Sequence, residues 1–227
     1  MTNNKAYAPY NMYAPDGTVY QLNYAKSATE LGNTTVALTN GEVGVLMVHK
    51  PKPYKYACDS LYKVTELKNG LFAFSGITND GIKYISYLKE KELIENITKD
   101  REIHPLYVFD DLSYEMARNA ISGNRLYGAA GILMCEFEGK IRVTELQPNS
   151  KAIEVFGTAV GARNQSSKTI LATNLERFKM STENELVEIC HLALKNAHPD
   201  AKVELVGDEV ECYLLKVGEK AKKIEIN

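Results

Sequence analysis

The chain lacks a surplus of positive charge, a long apolar run and any paired-cysteine spacing, and each absence removes a class of function. Lys and Arg number 27 against 29 Asp and Glu, a formal net charge of −2, with no basic stripe. Nucleic acid and anionic membranes are therefore not expected as main partners. Nowhere do the roughly eighteen consecutive apolar residues of a membrane span occur. The N-terminal segment carries no apolar run either, so no signal peptide is expected. Cys58, Cys135, Cys190 and Cys212 are dispersed, with no C-x-x-C pair. Three of them fall in apolar periodic segments, where cysteine behaves as a small hydrophobe, so a reduced, intracellular protein is expected. No internal repeat or low-complexity linker divides the 227 residues, whose 44% hydrophobic and 25% charged content is that of an ordinary globular chain. One large domain fits this length better than two small ones.

What is present is organised around Ala14–Gly32. Pro15, Asp16 and Gly17 spell a tight turn. Thr18 and Gln21 stand at capping-box spacing, and Tyr20, Tyr24, Ala28 and Leu31 then recur at helical intervals. Gly32 is expected to stop that helix in the left-handed conformation. A helix of about three turns is marginal alone, so the two tyrosines need a partner surface, either the chain's own sheet or a neighbouring molecule. Ahead of it, residues 1–13 fit neither period and read as an extended tail.

The remaining chain alternates hairpins with helix pairs. Runs at 34–38 and 43–48 flank Asn40-Gly41, the strongest short hairpin signal. A loop broken by Pro51 and Pro53 leads to a second hairpin, 61–67 with 71–75. A helix from Asn79 carries Ile82, Ile85, Leu88, Leu93 and Ile97, and a second helix covers 108–121 with Asp110-Asp111 favourably near its start. Strands follow at 127–137, 141–146 and 152–160, then a helix over 163–178. Thr182 and Glu185 form another capping box before a helix striped by Leu186, Ile189, Cys190, Ala193 and Ala197. Strands at 202–206 and 210–217 close the pattern. Hairpin joints require antiparallel sheets, and helix pairs between them suggest outer layers around two packed sheets. The expectation is an α+β protein, a four-layer αββα sandwich.

Isolated candidates for chemistry are weak. His191 and His198 share a helix without an acidic partner on their stripe, Cys190 reads as core, and the spacing of Gly157 and Gly161 lacks the Lys-Ser/Thr of a phosphate loop.

The motifs in order carry a resemblance. Tyr13-Ala14-Pro15-Asp16-Gly17-Thr18 followed by Gln21-Leu22-Asn23-Tyr24-Ala25 resembles the opening signature of proteasome core-particle α subunits. Lys63-Val64, Phe74-Ser75-Gly76-Ile77 and Arg125-Leu126-Tyr127-Gly128 stand where that family has Lys-Ile, Ala-Gly-Leu and Arg-Pro-Tyr-Gly. Glu145-Leu146-Gln147-Pro148-Asn149 and Gly161-Ala162-Arg163-Asn164-Gln165 are similar to the type-six α subunits. The likeness covers roughly residues 7–217 in a divergent, shortened form. Thr18 replaces an arginine, Asn23 a glutamate and Leu126 a proline, and the Tyr-Asp pair before the turn is out of register at Tyr7-Ala8.

The resemblance implies the N-terminal-nucleophile hydrolase fold over 14–227, with residues 1–13 as a gate-related tail. It implies no catalytic residue, since Asn33 stands where catalytic relatives have a threonine nucleophile and His49 where they have a supporting aspartate. It implies Gly32, Lys63 and Ile77 as a groove for an activator's C-terminal tail, and Tyr7, Pro15, Tyr20 and Tyr24 as gate and ring contacts. The implied function is a non-catalytic subunit of the outer seven-membered α ring of the 20S core particle, in ubiquitin- and ATP-dependent protein degradation. Ring neighbours, β subunits beneath and a regulatory particle would be its partners, without cofactor or metal, in cytoplasm and nucleus. An active peptidase subunit of this fold and a stand-alone binding sandwich are the alternatives.

Overall fold

A computed structural model describes residues 13–51, 54, 63–99, 102–149, 151–200, 205 and 209–226. In chain order the elements are α1 (Tyr20–Thr29), β1 (Thr35–Thr39), β2 (Val43–His49), β3 (Val64–Leu67), β4 (Gly70–Gly76) and α2 (Thr78–Ile94). Then come α3 (Asp110–Ser122), β5 (Ala129–Phe137), β6 (Lys140–Leu146), β7 (Ala152–Val155) and β8 (Gly157–Val160). α4 (Asn164–Thr173), α5 (Leu175–Phe178), α6 (Glu183–Ala197), β9 (Val210–Lys216) and β10 (Lys222–Ile224) complete the order. A π turn over Glu95–Lys99 extends α2, and a 3-10 turn over Tyr107–Phe109 precedes α3.

The strands form two antiparallel five-stranded sheets, β10-β9-β2-β1-β8 and β3-β4-β5-β6-β7. Alternation along each strand builds the layers. Val36, Leu38, Val45 and Met47 of the first sheet pack with Leu186, Cys190 and Leu194 of α6. Their neighbours Ala37, Leu46 and Val48 face the second sheet and meet Ala73, Ile132, Met134 and Val143. On the far side of that sheet, Phe72, Phe74 and Leu133 pack against Tyr84, Leu88, Phe109, Leu112 and Met116 of the α2–α3 layer. Three stacked cores between four layers are the expected αββα sandwich. Because both faces of each sheet are buried, β1 and β5 read as continuous apolar runs.

Three expectations are corrected. The single strand over 152–160 is two, because Phe156 takes a bend between the sheets: β7 pairs with β6, β8 pairs with β1, and the Phe156 carbonyl accepts the Thr39 amide at 2.8 Å. The helix over 163–178 breaks at Asn174, whose side-chain amide donates to the Ile170 carbonyl at 2.9 Å and so competes with the helix ladder. The buried stripe of α2 is Asp80, Gly81, Tyr84 and Leu88 rather than the isoleucine row. Gly81 lets the helix approach the Phe74 ring, and Tyr84 meets Phe72 and Tyr127 edge-on, leaving Leu93 and Ile97 outward. The 210–217 run is β9, which pairs with β2 and with the short β10, while its expected partner at 202–206 lies almost wholly outside the described residues. Of 202–206 only Leu205 lies within the described residues, buried in the helix-side core.

Candidate functional site

The first helix lies over the strand ends of the second sheet, and its local chemistry differs from the sequence expectation in two ways. The turn before it forms as expected: Gly17 donates to the Ala14 carbonyl at 2.8 Å with φ +80°, and Asp16 accepts the Thr18 amide at 3.0 Å. With that amide taken by Asp16, the helix starts one residue late. Its N-cap is Val19, which makes no side-chain cap bond, so the Thr18–Gln21 capping box is absent. At the other end the last helical residue is Thr29, and Gly32 is not in the left-handed region. Gly32 is required for a different reason: a Cβ there would collide with Gly76 N and Ser75 Oγ.

Two further glycines line the seat. Gly76, at φ +110°, would drive a Cβ into the Gly128 carbonyl, and a Cβ on Gly128 would lie 2.7 Å from Ile77 Cδ1 and 2.9 Å from Ala28 Cβ. The helix therefore rests on backbone. Its buried residues are Ala25 and Thr29, with Ala28 half-buried against Gly128. Each four-residue step turns a helix by about 40° past a full circle, so the row from Tyr20 through Tyr24 drifts off the face that Ala28 occupies. Tyr24 is 42% exposed and its ring stacks on Tyr20 at 6.4 Å, while Leu31, past the helix, is 83% exposed. Pro15 is exposed in the turn. Tyr7 lies outside the described residues.

Beneath the helix, the start of β1 is locked to its surroundings. Gly32 O accepts the Ala162 amide at 2.8 Å, Thr34 Oγ1 donates to Ala162 O at 2.6 Å, and Ser75 Oγ donates to Asn33 O at 2.9 Å. Asn33 has an amide side chain, neither nucleophile nor base, and the buried Ser75 hydroxyl is committed to the Asn33 carbonyl. His49 does not take the place of a supporting carboxylate. Alternation continues it on the side of Val45 and Met47, toward the helix layer, where its ring meets His198 edge-on at 5.6 Å. Burial, then the nearby His198, push the His49 pKa down, with Glu209 opposing and Lys63 adding to the effect. The next residue, Lys50, is buried and paired with Glu211 at 3.2 Å.

Of the groove residues, Gly32 and Ile77 come together through the Gly76 contact, and Ile77 is 39% exposed. Lys63 sits at the same end of the sheet, opposite Phe74, whose amide donates to the Lys63 carbonyl at 3.3 Å. Its side chain is half-buried, and desolvation pushes its pKa down. His191 and His198 do not act as a pair: His191 Nε2 bonds the Leu205 carbonyl, and His198 Nδ1 lies 2.9 Å from Asp200 O. Among the described residues, no group of three or more His, Cys, Asp and Glu side chains could hold a metal ion.

Sequence reasoning missed two buried carboxylates. Asp80, in the first turn of α2, receives Arg125 Nη1 and Nη2 at 2.7 Å each and the Gly128 amide at 2.7 Å. Arg125 and Gly128 were visible as a motif, but the acid they share lies 45 residues away. Glu145 accepts Lys168 Nζ at 2.9 Å, Gln147 Nε2 at 2.6 Å and the Thr158 hydroxyl, and so ties β6, β8 and α4 together where the chain changes sheets.

Residues 29–215 match the family model described as proteasome subunit. This chain belongs to the proteasome subunit family. Among its relatives, the "Probable proteasome subunit alpha type-6" of Schizosaccharomyces pombe is 25% identical over 186 residues, 81% of this chain and 68% of the relative. The "Proteasome subunit alpha type-1" of Drosophila melanogaster is 23% identical over an alignment of 239 positions, covering 100% of this chain and 85% of the relative. The "Proteasome subunit alpha" of the archaeon Methanobrevibacter smithii is 24% identical across 92% of this chain and 82% of its own length. All three names are of the alpha kind. Type-six and type-one names occur at like identity, so the type-six motifs do not single out one ring position in this proteasome subunit.

Proposed function

We propose that this chain is a non-catalytic α-type subunit of a proteasome core particle, working by assembly into the outer ring rather than by peptide hydrolysis. One observation carries the reading: α1 lies across the strand ends with Asn33 beneath it, where a catalytic member would present its nucleophile, and shows an exposed Tyr24 stacked on a half-buried Tyr20. Stacked, half-exposed aromatic rings on a helix held by few apolar contacts are the chemistry of a subunit contact. Ring neighbours meet this face, β subunits lie beneath the ring, and the N-terminal tail contributes to the gate. A tagged copy, purified intact from its cells, is expected in a complex of several hundred kilodaltons with related chains. Recovery as a species of 25.3 kDa would refute the assignment.

The same reading makes Gly32, Lys63 and Ile77 one wall of a groove for the C-terminal carboxylate of an activator tail. Lys63 supports it, being a partly desolvated ammonium without a carboxylate partner among the described residues, directly before β3, the strand next to β4, whose end Gly76 meets Gly32 and leads into Ile77. Such a charge-assisted contact contributes about 1.5–3 kcal/mol. Lys63→Ala is therefore expected to weaken binding of an activator C-terminal peptide at this groove by roughly tenfold or more, with the ring still assembled. Unchanged peptide affinity would remove the docking role.

A further inference from the structure

The seat of α1 is built from backbone, and backbone seats depend on what fixes them. Gly128 is the contact on the sheet side: Ala28 Cβ and the Ile77 side chain both pack where a Gly128 Cβ would stand, and Ile77 N–H donates to Gly128 O at 2.9 Å. Gly128 precedes β5 rather than lying within its ladder. Its own amide instead meets the Asp80 carboxylate at 2.7 Å, a bond wholly buried between the first turn of α2 and the start of β5. The same carboxylate receives both terminal nitrogens of Arg125, a bidentate pair that fixes the carboxylate plane. Asp80 is almost fully buried, whereas the Arg125 side chain is 60% exposed. The arginine therefore neutralises the acid from the solvent side without itself filling the core.

We infer that the Asp80–Arg125 pair is the positioning element that sets the α1 seat, by holding Gly128 at the spacing that Ala28 and Ile77 require. The residues are linked in one line: Arg125 orients the Asp80 carboxylate, the carboxylate holds the Gly128 amide, and Gly128 receives the helix. The part of the inference that concerns ring assembly rests on the reading of α1 as the ring-contact helix; the part that concerns the seat does not. Two other groups bear on Asp80: Lys83, one turn further along α2, lends a positive charge and is itself bonded to Glu115 and Tyr127, and Tyr84 feels the Asp80 charge. Burial pushes the Asp80 carboxyl up, but Arg125, the Gly128 amide and Lys83 outweigh it and hold it below its ordinary value. A folded value below the unfolded one means that its stabilisation is present above about pH 4 and is lost as pH falls through the folded value.

The test uses the full chain and amide hydrogen exchange, with Asp80→Asn, Arg125→Ala and Arg125→Lys compared with the parent at neutral pH. Asp80→Asn and Arg125→Ala are expected to speed exchange of the 20–29 amides by at least about tenfold, with amides of β1, β2 and β9 unchanged. Arg125→Lys, which keeps the charge but not the fork, is expected to fall between. In the parent, the same loosening of α1 appears on acidification below about pH 4, and Asp80→Asn abolishes that step. Unchanged protection of α1 in both Asp80→Asn and Arg125→Ala would overturn the inference. So would a uniform rise over all elements, since that marks general destabilisation. If α1 loosens while the variants still enter full-size complexes at parent yield, the seat assignment stands and the ring-contact reading of α1 fails.

Discussion

Two helices of this molecule, α6 and α1, are held in opposite ways. α6 buries Leu186, Ile189, Cys190, Ala193, Leu194 and Ala197 in the helix-side core and starts at a complete capping box, with the Thr182 amide donating to Glu185 at 2.7 Å. α1 buries Ala25 and Thr29, has no side-chain N-cap bond, and touches two glycines, Gly76 and Gly128. The first is fixed by apolar area, which any neighbouring core would provide. The second is fixed largely by close backbone approach, with Ala25 and Thr29 its buried side chains.

The comparison breaks if the two helices respond alike to substitution. The largest effect on the whole molecule is expected from Leu186→Ala, which empties a fully buried site and should cost roughly 3–5 kcal/mol in denaturant unfolding. A smaller and local effect is expected from Gly76→Ala. The positive φ and the collision with the Gly128 carbonyl together cost roughly 2–4 kcal/mol, and the loss should appear as faster amide exchange in α1 before it appears in the sheets. Equal loosening of α1 and α6 in that variant would erase the distinction. Thr182→Ala sharpens it from the other side, removing the cap of α6 for about 1 kcal/mol of global stability. No equivalent loss is expected from Thr18→Ala, because α1 has no cap to lose.

The same contrast explains what the sequence could reveal. α6 was legible because period, cap and burial agree in one short window. The β1–β2 hairpin was legible at Asn40, whose side-chain oxygen accepts the amides of Glu42 and Val43 at 2.9 and 2.8 Å. The β5–β6 turn falls in the gap between the strands read at 127–137 and 141–146, at Glu138-Gly139, both with positive φ. The element order and the layered sandwich followed from such local signals. What failed was decided at a distance. The bend at Phe156 depends on which sheet each side joins, and the lysine-rich β10 is an edge strand paired with β9. Gly32 carries the same letter whether it caps a helix or admits Gly76, and only the second sheet shows which. At the site, Gly32 lies against Gly76, the neighbour of Ile77, whereas His49 turns to the helix side of its sheet and Asp80 gave no signal beyond an acid in a helix's first turn. Tertiary partners set all of these.

The central claim is that the outward row of α1 serves a neighbouring subunit and not this chain's own fold, and Tyr24→Ala tests it most directly. Tyr24 is 42% exposed, so the isolated variant should lose no more than about 1 kcal/mol and melt within roughly 4 °C of the parent. Across a subunit contact the same truncation removes a buried aromatic worth on the order of 3–5 kcal/mol, so native mass measurement of complexes carrying the tagged variant should show ring incorporation lost. Full-size complexes at parent yield, or an isolated chain that melts far below the parent, would contradict the claim and return Tyr24 to the chain's own packing.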